Sequence, residues 1–540
     1  MTRYLLLACL ATVLAAEATP PPLAIPDEQA FTVVVIPNLR LTLGHCEQIA
    51  AAFSPGALAP GDLAGMLGER LNDAGLAKLA AGPLVIVLGP GGMAPSVAFL
   101  IPSTEPALHA DALGDLNLQV AIAGGLVVAG QRPADVALGQ RFTAAYATLS
   151  EMAVDGDVRL MIAPSRILST YQPVLPGLLQ VMAGQMAKQP NGADVAALLT
   201  LEIEALISVF NQISTMQIDV DLAGLAISSR SLIAAVPGSG LAAALIAPPA
   251  ATGPDPAQRM GAELGYLQIT GRFNSPAIHG WMAKLLTDLR QKPEGATWIT
   301  PQMIAMVSDM GSTIQGNLAM RMRSSESNPV AMDMAIGCKD STALNHCYQQ
   351  LLEIMFGDTP LGRMYANMGM GATLERDVRL SGGLAVQRIH YTLDADKVPP
   401  GQEQMMRGMM QDFEYVVIPG LALGAQQPGD LDRLVRGDAG AMITAASRTL
   451  DPGHDGYIDM DYLGMMTAVL ASPMMEPMAK TPFFAAIANL PAGEPTGMAW
   501  TIANGQMTIQ ARAPLQPFID LVAAIQAANA TPAPVEEPTL

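Results

Sequence analysis

Residues 451–459, DPGHDGYID, carry the acids and glycine of a calcium-binding loop. Asp451, Asp455, Gly456, Ile458 and Asp459 fall at positions 1, 5, 6, 8 and 9 of the twelve-residue EF-hand pattern. The match fails where coordination is most demanding. Position 3 is Gly453, and position 12, which supplies a bidentate carboxylate in an EF-hand, is Tyr462. Asp455-Gly456 reads instead as the turn that precedes a strand.

Other residue types able to do chemistry are thinly spread. His45 and His279 lie 234 residues apart, each early in an amphipathic stretch, and a duplicated fold would place them as a symmetric pair. Neither arrangement brings a carboxylate or cysteine to ligand spacing beside both histidines, so a metal role is not expected of them. Cys46 follows His45, but neighbours on a helix diverge by about 100°, which argues against a Cys–His dyad. Cys338, His346 and Cys347 are three potential zinc ligands at a spacing that fits no knuckle; a disulfide between Cys338 and Cys347 is the alternative, leaving Cys46 over. Asp219/Asp221 and Asp459/Asp461 are two apart on apparent strands, so each pair faces one side of a sheet. That suits a two-carboxylate hydrolase or a solvated face. The methionine clusters EQMMRGMMQDF (403–413) and SPMMEPMAK (472–480) could hold copper(I), but the 34 methionines run through the strands as well, as packing material would. There is no HExxH, CxxC, GxSxG, Walker loop or strand-borne GxGxxG, and no cofactor is expected.

The elements that would position these residues recur. GPLVIVLGPGGMAPSVAFLIPS (82–103) is patterned like GNLAMRMRSSESNPVAMDMAIG (316–337), with Gly82, Leu84 and Pro95 each 234 residues before Gly316, Leu318 and Pro329. TVVVIPNLRLTLGHCEQIAAAF (32–53) matches YLQITGRFNSPAIHGWMAKLLT (266–287) at the same spacing. Further on, Pro133 and Asp135 correspond to Pro428 and Asp430, and Asp155-Gly156 to Asp455-Gly456. A hairpin about Gly224 has an echo about Gly505. The fold expected is α+β: two duplicated halves, residues 27–250 and 260–525, each of antiparallel hairpins packed against amphipathic helices. The second half holds an insertion at about 345–415 containing the strand pair 375–394. APPAATGPDPAQ (247–258) reads as a linker and residues 530–540 as a disordered tail.

Composition narrows the function classes. The 540 residues are 50% hydrophobic and only 14% charged, with net charge −19, a field that repels nucleic acid and anionic membranes. At the N-terminus, Arg3, the apolar run Tyr4–Leu14 and the A-x-A site Ala16–Ala18 form a secretory signal, residues 1–18. Cys9 sits in a loose lipobox with too short an apolar run before it. No later segment offers an uninterrupted apolar span, so none is expected to cross a membrane.

The segments AFTVVVIPNLRLTLGHCEQIAAAF, GQRPADVALG and GDVRLMIAPSRILSTY resemble uncharacterised exported bacterial proteins classed as domains of unknown function. The resemblance implies an exported, repeated α+β chain and transfers no catalytic residue. The function expected is a non-catalytic binding or structural role in the cell envelope, periplasmic or extracellular. Alternatives are a carrier of an apolar or peptide-like ligand and a hydrolase with a site assembled from scattered residues.

Intact-mass measurement of the exported protein should find it cleaved after Ala15, Ala16 or Ala18. A species retaining Met1, or lipidated at Cys9, would contradict the signal.

Overall fold

The computed structural model describes residues 25–530, apart from positions 93, 153, 251–252, 264, 325–330, 438–439, 451–452, 471–480, 489, 491–492 and parts of 175–191 and 399–409. The signal segment, the tail residues 531–540 and the methionine cluster 472–480 thus lie outside the described residues. The architecture is α+β, with antiparallel sheet and packed helices. It forms two compact units: residues up to Ile246 with Thr501–Arg512, and Ala247–Trp500 with the residues from Ala513 onward.

In the first unit, β1 (Thr32–Ile36), β2 (Leu84–Gly89), β3 (Ser96–Pro102), β4 (Gln119–Ala123), β5 (Leu126–Gly130), β6 (Val158–Ile162), β7 (Ile213–Asp221) and β8 (Ala226–Ala235) follow the order β4-β5-β3-β2-β1-β6-β7-β8. β1, a β-branched TVVVI, runs into the helix Leu39–Phe53, whose N-cap Asn38 accepts a hydrogen bond from the Leu41 N–H. β5, LVVAG, is buried at every position because both faces of the sheet are covered. Val128 packs with Val33, Val85, Val87 and Phe142 on one face. Val127 and Ala129 pack with Leu71, Leu76 and Leu113 on the other.

The second unit contains β9 (Leu267–Arg272), β10 (Ile314–Arg323), β11 (Ala331–Cys338), β12 (Met370–Ser381), β13 (Leu384–Leu393), β14 (Phe413–Ile418), β15 (Leu421–Ala425), β16 (Gly456–Met460) and, as far as Trp500, β17 (Thr496–Ala503). Their order is β12-β13-β14-β15-β11-β10-β9-β16-β17. Gly456–Met460 is a strand, as the turn-then-strand reading of the Asp455-Gly456 pair requires. The hairpin expected at 375–394 is present, begins at Met370, and pairs with β14 at Gln387, Arg388 and Ile389, with Arg379 of β12 also bonded to Glu414. The last strand, β18 (Gln506–Pro514), pairs with β8, and Ala235 donates its N–H to the Gly505 carbonyl. Thr501–Arg512 therefore packs with the first unit and not with the 260–525 half. The proline-rich 247–258 segment also ends differently: Ala257–Met260 is a short helix with Met260 wholly buried.

The second unit buries charge inside its sheet. Arg321 and Asp333 face each other across β10 and β11, each at 0% exposure. Alternation places them on the same face as Ala319 and Ala335, which belong to the apolar core with Leu423 and Leu431. Asp333 Oδ2 accepts from Arg321 at 2.7 Å, Arg433 at 3.3 Å and Arg323 at 3.4 Å. Arg433 also reaches Glu263 at 2.8 Å, and Arg323 pairs with Asp430. Burial and the neighbouring Asp333 charge raise the Asp430 carboxyl above its usual range, against the pull of the three arginines. Two charged groups this deep are tolerable only while each keeps its partner.

Asp333→Ala should lower the urea midpoint sharply, by about 3–5 kcal/mol in stability, since Arg321 would stay buried without its counter-charge. The double variant Arg321→Met/Asp333→Ala should recover most of that loss. A single variant no less stable than the double would show that the network contributes little.

Candidate functional site

At one end of the first unit's sheet, three groups able to ligate a metal or move a proton converge. Asp157 immediately precedes β6, and its N–H donates to the Val220 carbonyl of β7 at 2.8 Å. The β6–β7 register sets Val158 opposite Val220, so one step further places Asp157 opposite Asp221. Gly156 makes the approach possible: its φ is +131°, and a Cβ there would lie 2.5 Å from the Val220 carbonyl oxygen. From above, the helix Leu39–Phe53 presents Thr42 and His45, three residues apart and hence on one face.

The contacts are specific. His45 Nδ1 lies 2.9 Å from both carboxylate oxygens of Asp157. Thr42 Oγ1 approaches Asp157 Oδ1 at 3.4 Å, and the Leu222 N–H donates to Oδ2 at 2.8 Å. The Asp157 side chain is only 2% exposed and that of His45 17%. Asp221, half-buried, accepts from the Ala223 N–H at 3.0 Å. Ligand atoms of His45, Asp157 and Asp221 all lie within 4.8 Å of one another. At Cys46, next along the helix, burial raises the thiol pKa, and the Asp157 and Glu47 charges raise it further, which disfavours the thiolate.

The second unit shows a different solution at its own sheet end. Asp455 precedes β16 and donates its N–H to the Trp500 carbonyl of β17 at 3.0 Å. Its Oδ1 is held by Arg272 Nη2 at 2.8 Å, while Oδ2 has no partner among the described residues. Burial pushes this carboxyl up to about 6, although Arg272 opposes the shift.

The two histidines singled out by sequence are not a symmetric pair. His45 stands seven residues after its helix cap Asn38, and His279 five after Asn274, which turns them onto different faces of their helices. His279 is buried, which lowers its pKa, and its Nδ1 lies 2.8 Å from the Ser275 carbonyl. Cys338 and Cys347 are both free thiols, not a disulfide. Cys338 ends β11 and Cys347 lies in the helix Ser341–Phe356 packed above it, where Sγ of Cys338 meets the Asp340 carbonyl and that of Cys347 meets Thr313. Both line an apolar cavity of about 90 Å³ with Met310, Ile336 and Tyr348, and burial raises both thiol pKa values. His346 points to solvent.

The paired acids divide. Asp219 is held by Arg159 through two 2.6 Å bonds, whereas Asp221 joins the His45 cluster. Asp459 accepts from the Ala445 and Ala446 N–H groups, and Asp461 from Gly464. Asp157 is the residue that sequence reading misses; the Asp155-Gly156 turn two residues earlier is its one local signal. No family model, curated protein or solved structure matches this chain. Fold and site define a two-unit α+β protein with a His–carboxylate cluster on its first unit.

The raised Asp455 value fixes a pH dependence. An acid whose folded-state pKa lies above its unfolded value stabilises through its protonated form, fully below about pH 4, and that contribution is lost as pH rises through about 6. Asp455→Asn should therefore match the parent's urea midpoint near pH 4 and exceed it increasingly up to about pH 7. An unchanging difference across that range would show Asp455 titrating normally.

Proposed function

We propose that this chain is an exported, non-catalytic protein of the cell envelope, with a binding or structural role and two halves derived by duplication of one α+β unit. The observation that carries the reading is how its buried acids are used. Arg159 holds both oxygens of Asp219; Glu47 accepts from the Gly61 and Leu63 N–H groups at 2.7 and 2.6 Å; Asp459 takes two backbone N–H groups. A carboxylate whose lone pairs fasten the fold is poorly placed to take a proton from a substrate. The 90 Å³ thiol-lined cavity is also far smaller than the roughly 300–1,000 Å³ of a typical ligand pocket.

Export rests on the N-terminal sequence, as does the likeness to exported proteins of unknown function. Duplication is supported by topology. Without the hairpin β12–β13, the order β14-β15-β11-β10-β9-β16-β17 repeats β4-β5-β3-β2-β1-β6-β7. Both first helices are capped by asparagine, at Asn38 and Asn274. Register refines the alignment by one residue: Val35 lies opposite Val85, but Ile269 faces Met320 where a constant spacing would give Ala319.

The full mature chain should show no turnover on a broad panel of ester, peptide, phosphate and glycoside substrates. Reproducible turnover abolished by one polar substitution in the first or second unit would overturn the non-catalytic reading.

A further inference from the structure

We infer that His45, Asp157 and Asp221 form a binding site for a divalent transition-metal ion of the zinc type. The inference goes beyond the non-catalytic reading and would stand whether or not that reading does. One imidazole nitrogen and two carboxylates are a donor set for zinc and its neighbours; calcium and magnesium favour oxygen alone.

The geometry is nearly assembled. A tetrahedral zinc with bonds of about 2.0–2.2 Å sets its ligand atoms roughly 3.3 Å apart. His45 Nδ1 is 2.9 Å from each Asp157 oxygen, so an ion between them requires the side chains to part by only a few tenths of an ångström. Asp221 completes a three-ligand set within the 4.8 Å span and leaves a fourth position for water. The carboxylates are already oriented by other donors, Leu222 N–H and Thr42 Oγ1 on Asp157 and Ala223 N–H on Asp221. Such supporting bonds are what hold metal ligands in place. With the ion bound through Nδ1, the imidazole keeps its proton on Nε2.

Charge points the same way. Two carboxylates opposite each other on paired strands repel, and Asp157 is nearly removed from solvent. One imidazole, whatever its protonation, cannot cancel two negative charges. The second unit answers the same problem with a resident cation, because Arg272 lies 2.8 Å from Asp455 where that acid precedes β16. In the first unit the acid in the same place immediately before the strand is Asp157, not the Asp155 that the Asp-Gly spacing suggests, and it has instead a histidine and a second acid, the arrangement that an external dication neutralises.

The test uses the full mature chain, stripped with a chelator and titrated with Zn²⁺ by calorimetry, and with Co²⁺ by visible absorption. The expected result is one high-affinity site with a dissociation constant well below about 100 µM and a cobalt band of nitrogen–oxygen ligation. Asp221→Asn and His45→Gln should each weaken that site by at least tenfold. Asp155→Asn, on an acid 74% exposed nearby, should leave it unchanged. Asp221 is half-buried, so its variant should keep the metal-free urea midpoint and separate ligation from folding. Absence of saturable binding, or binding that survives both ligand variants, would overturn the proposal.

Discussion

The first unit depends on β1 having a partner on each edge. A buried strand must pair its N–H and C=O groups on both sides, and β1 does so with β2 on one side and β6 on the other. β2 follows after two helices, Leu39–Phe53 and Asp62–Arg70, but β6 arrives more than a hundred residues later. Closing that pairing fixes everything that hangs from either strand. The helix Leu39–Phe53 leaves the end of β1 and crosses the end of the sheet where β6 begins. His45 and Asp157, 112 residues apart in sequence, are neighbours because β1 and β6 are. β9, between β10 and β16, does the same for Arg272 and Asp455.

The two units handle buried polarity differently on similar frames. In the first, the sheet face under the helix Pro133–Ser150 is mainly apolar, with Val87, Ala98 and Leu138 in its core, and the buried Arg159–Asp219 pair sits further along on β6 and β7. In the second, the face under the helix Pro428–Arg436 carries Arg321, Asp333 and Arg433 beside Ala319, Ala335 and Leu434. Desolvating such a network costs several kcal/mol per ion before any attraction is counted, so its net contribution to stability is small. What it does impose is register. Arg321 can meet Asp333 in one β10–β11 pairing only, and a slip by one residue would turn both charges to the other face.

Much of the frame is legible in the sequence, and the reasons are local. Alternation in NPVAMDMAIG, the glycine turns at Gly224 and Gly505 with φ near +78°, and the asparagine caps each act within a few residues. The inserted hairpin is visible for the same reason. Alternation sets Arg321 and Asp333 on the core side of β10 and β11 although charge argues for solvent, and their pairing across the two strands, with Arg433 from a helix far along the chain, resolves the conflict. The grouping of Thr501–Arg512 with the first unit depends on β18 meeting β8, a contact that no nearby residue announces. His45 was identifiable as a candidate, and its apparent mate was wrong because a constant spacing ignores the two-residue shift between the helix caps. Cys338 and Cys347, nine residues apart, are kept as thiols by separate polar partners.

The polar sites that remain open share a location. Strand interiors in both units are closed, by apolar packing and by ion pairs such as Arg159–Asp219 and Arg321–Asp333. At the strand ends the ladder stops, backbone groups need new partners, and glycines such as Gly156 let chains approach closely. Asp157 there has Oδ2 held by the Leu222 N–H while both its oxygens face the imidazole offered by the adjoining helix; Asp455 takes its partner, Arg272, from the neighbouring strand. Where an arginine is offered, the end is sealed, as at Asp455. Where a histidine and another acid are offered, as at Asp157, the sheet end keeps a concentration of negative charge within reach of solvent. On a chain of net charge −19, that arrangement is what makes the proposed cation site electrostatically favourable.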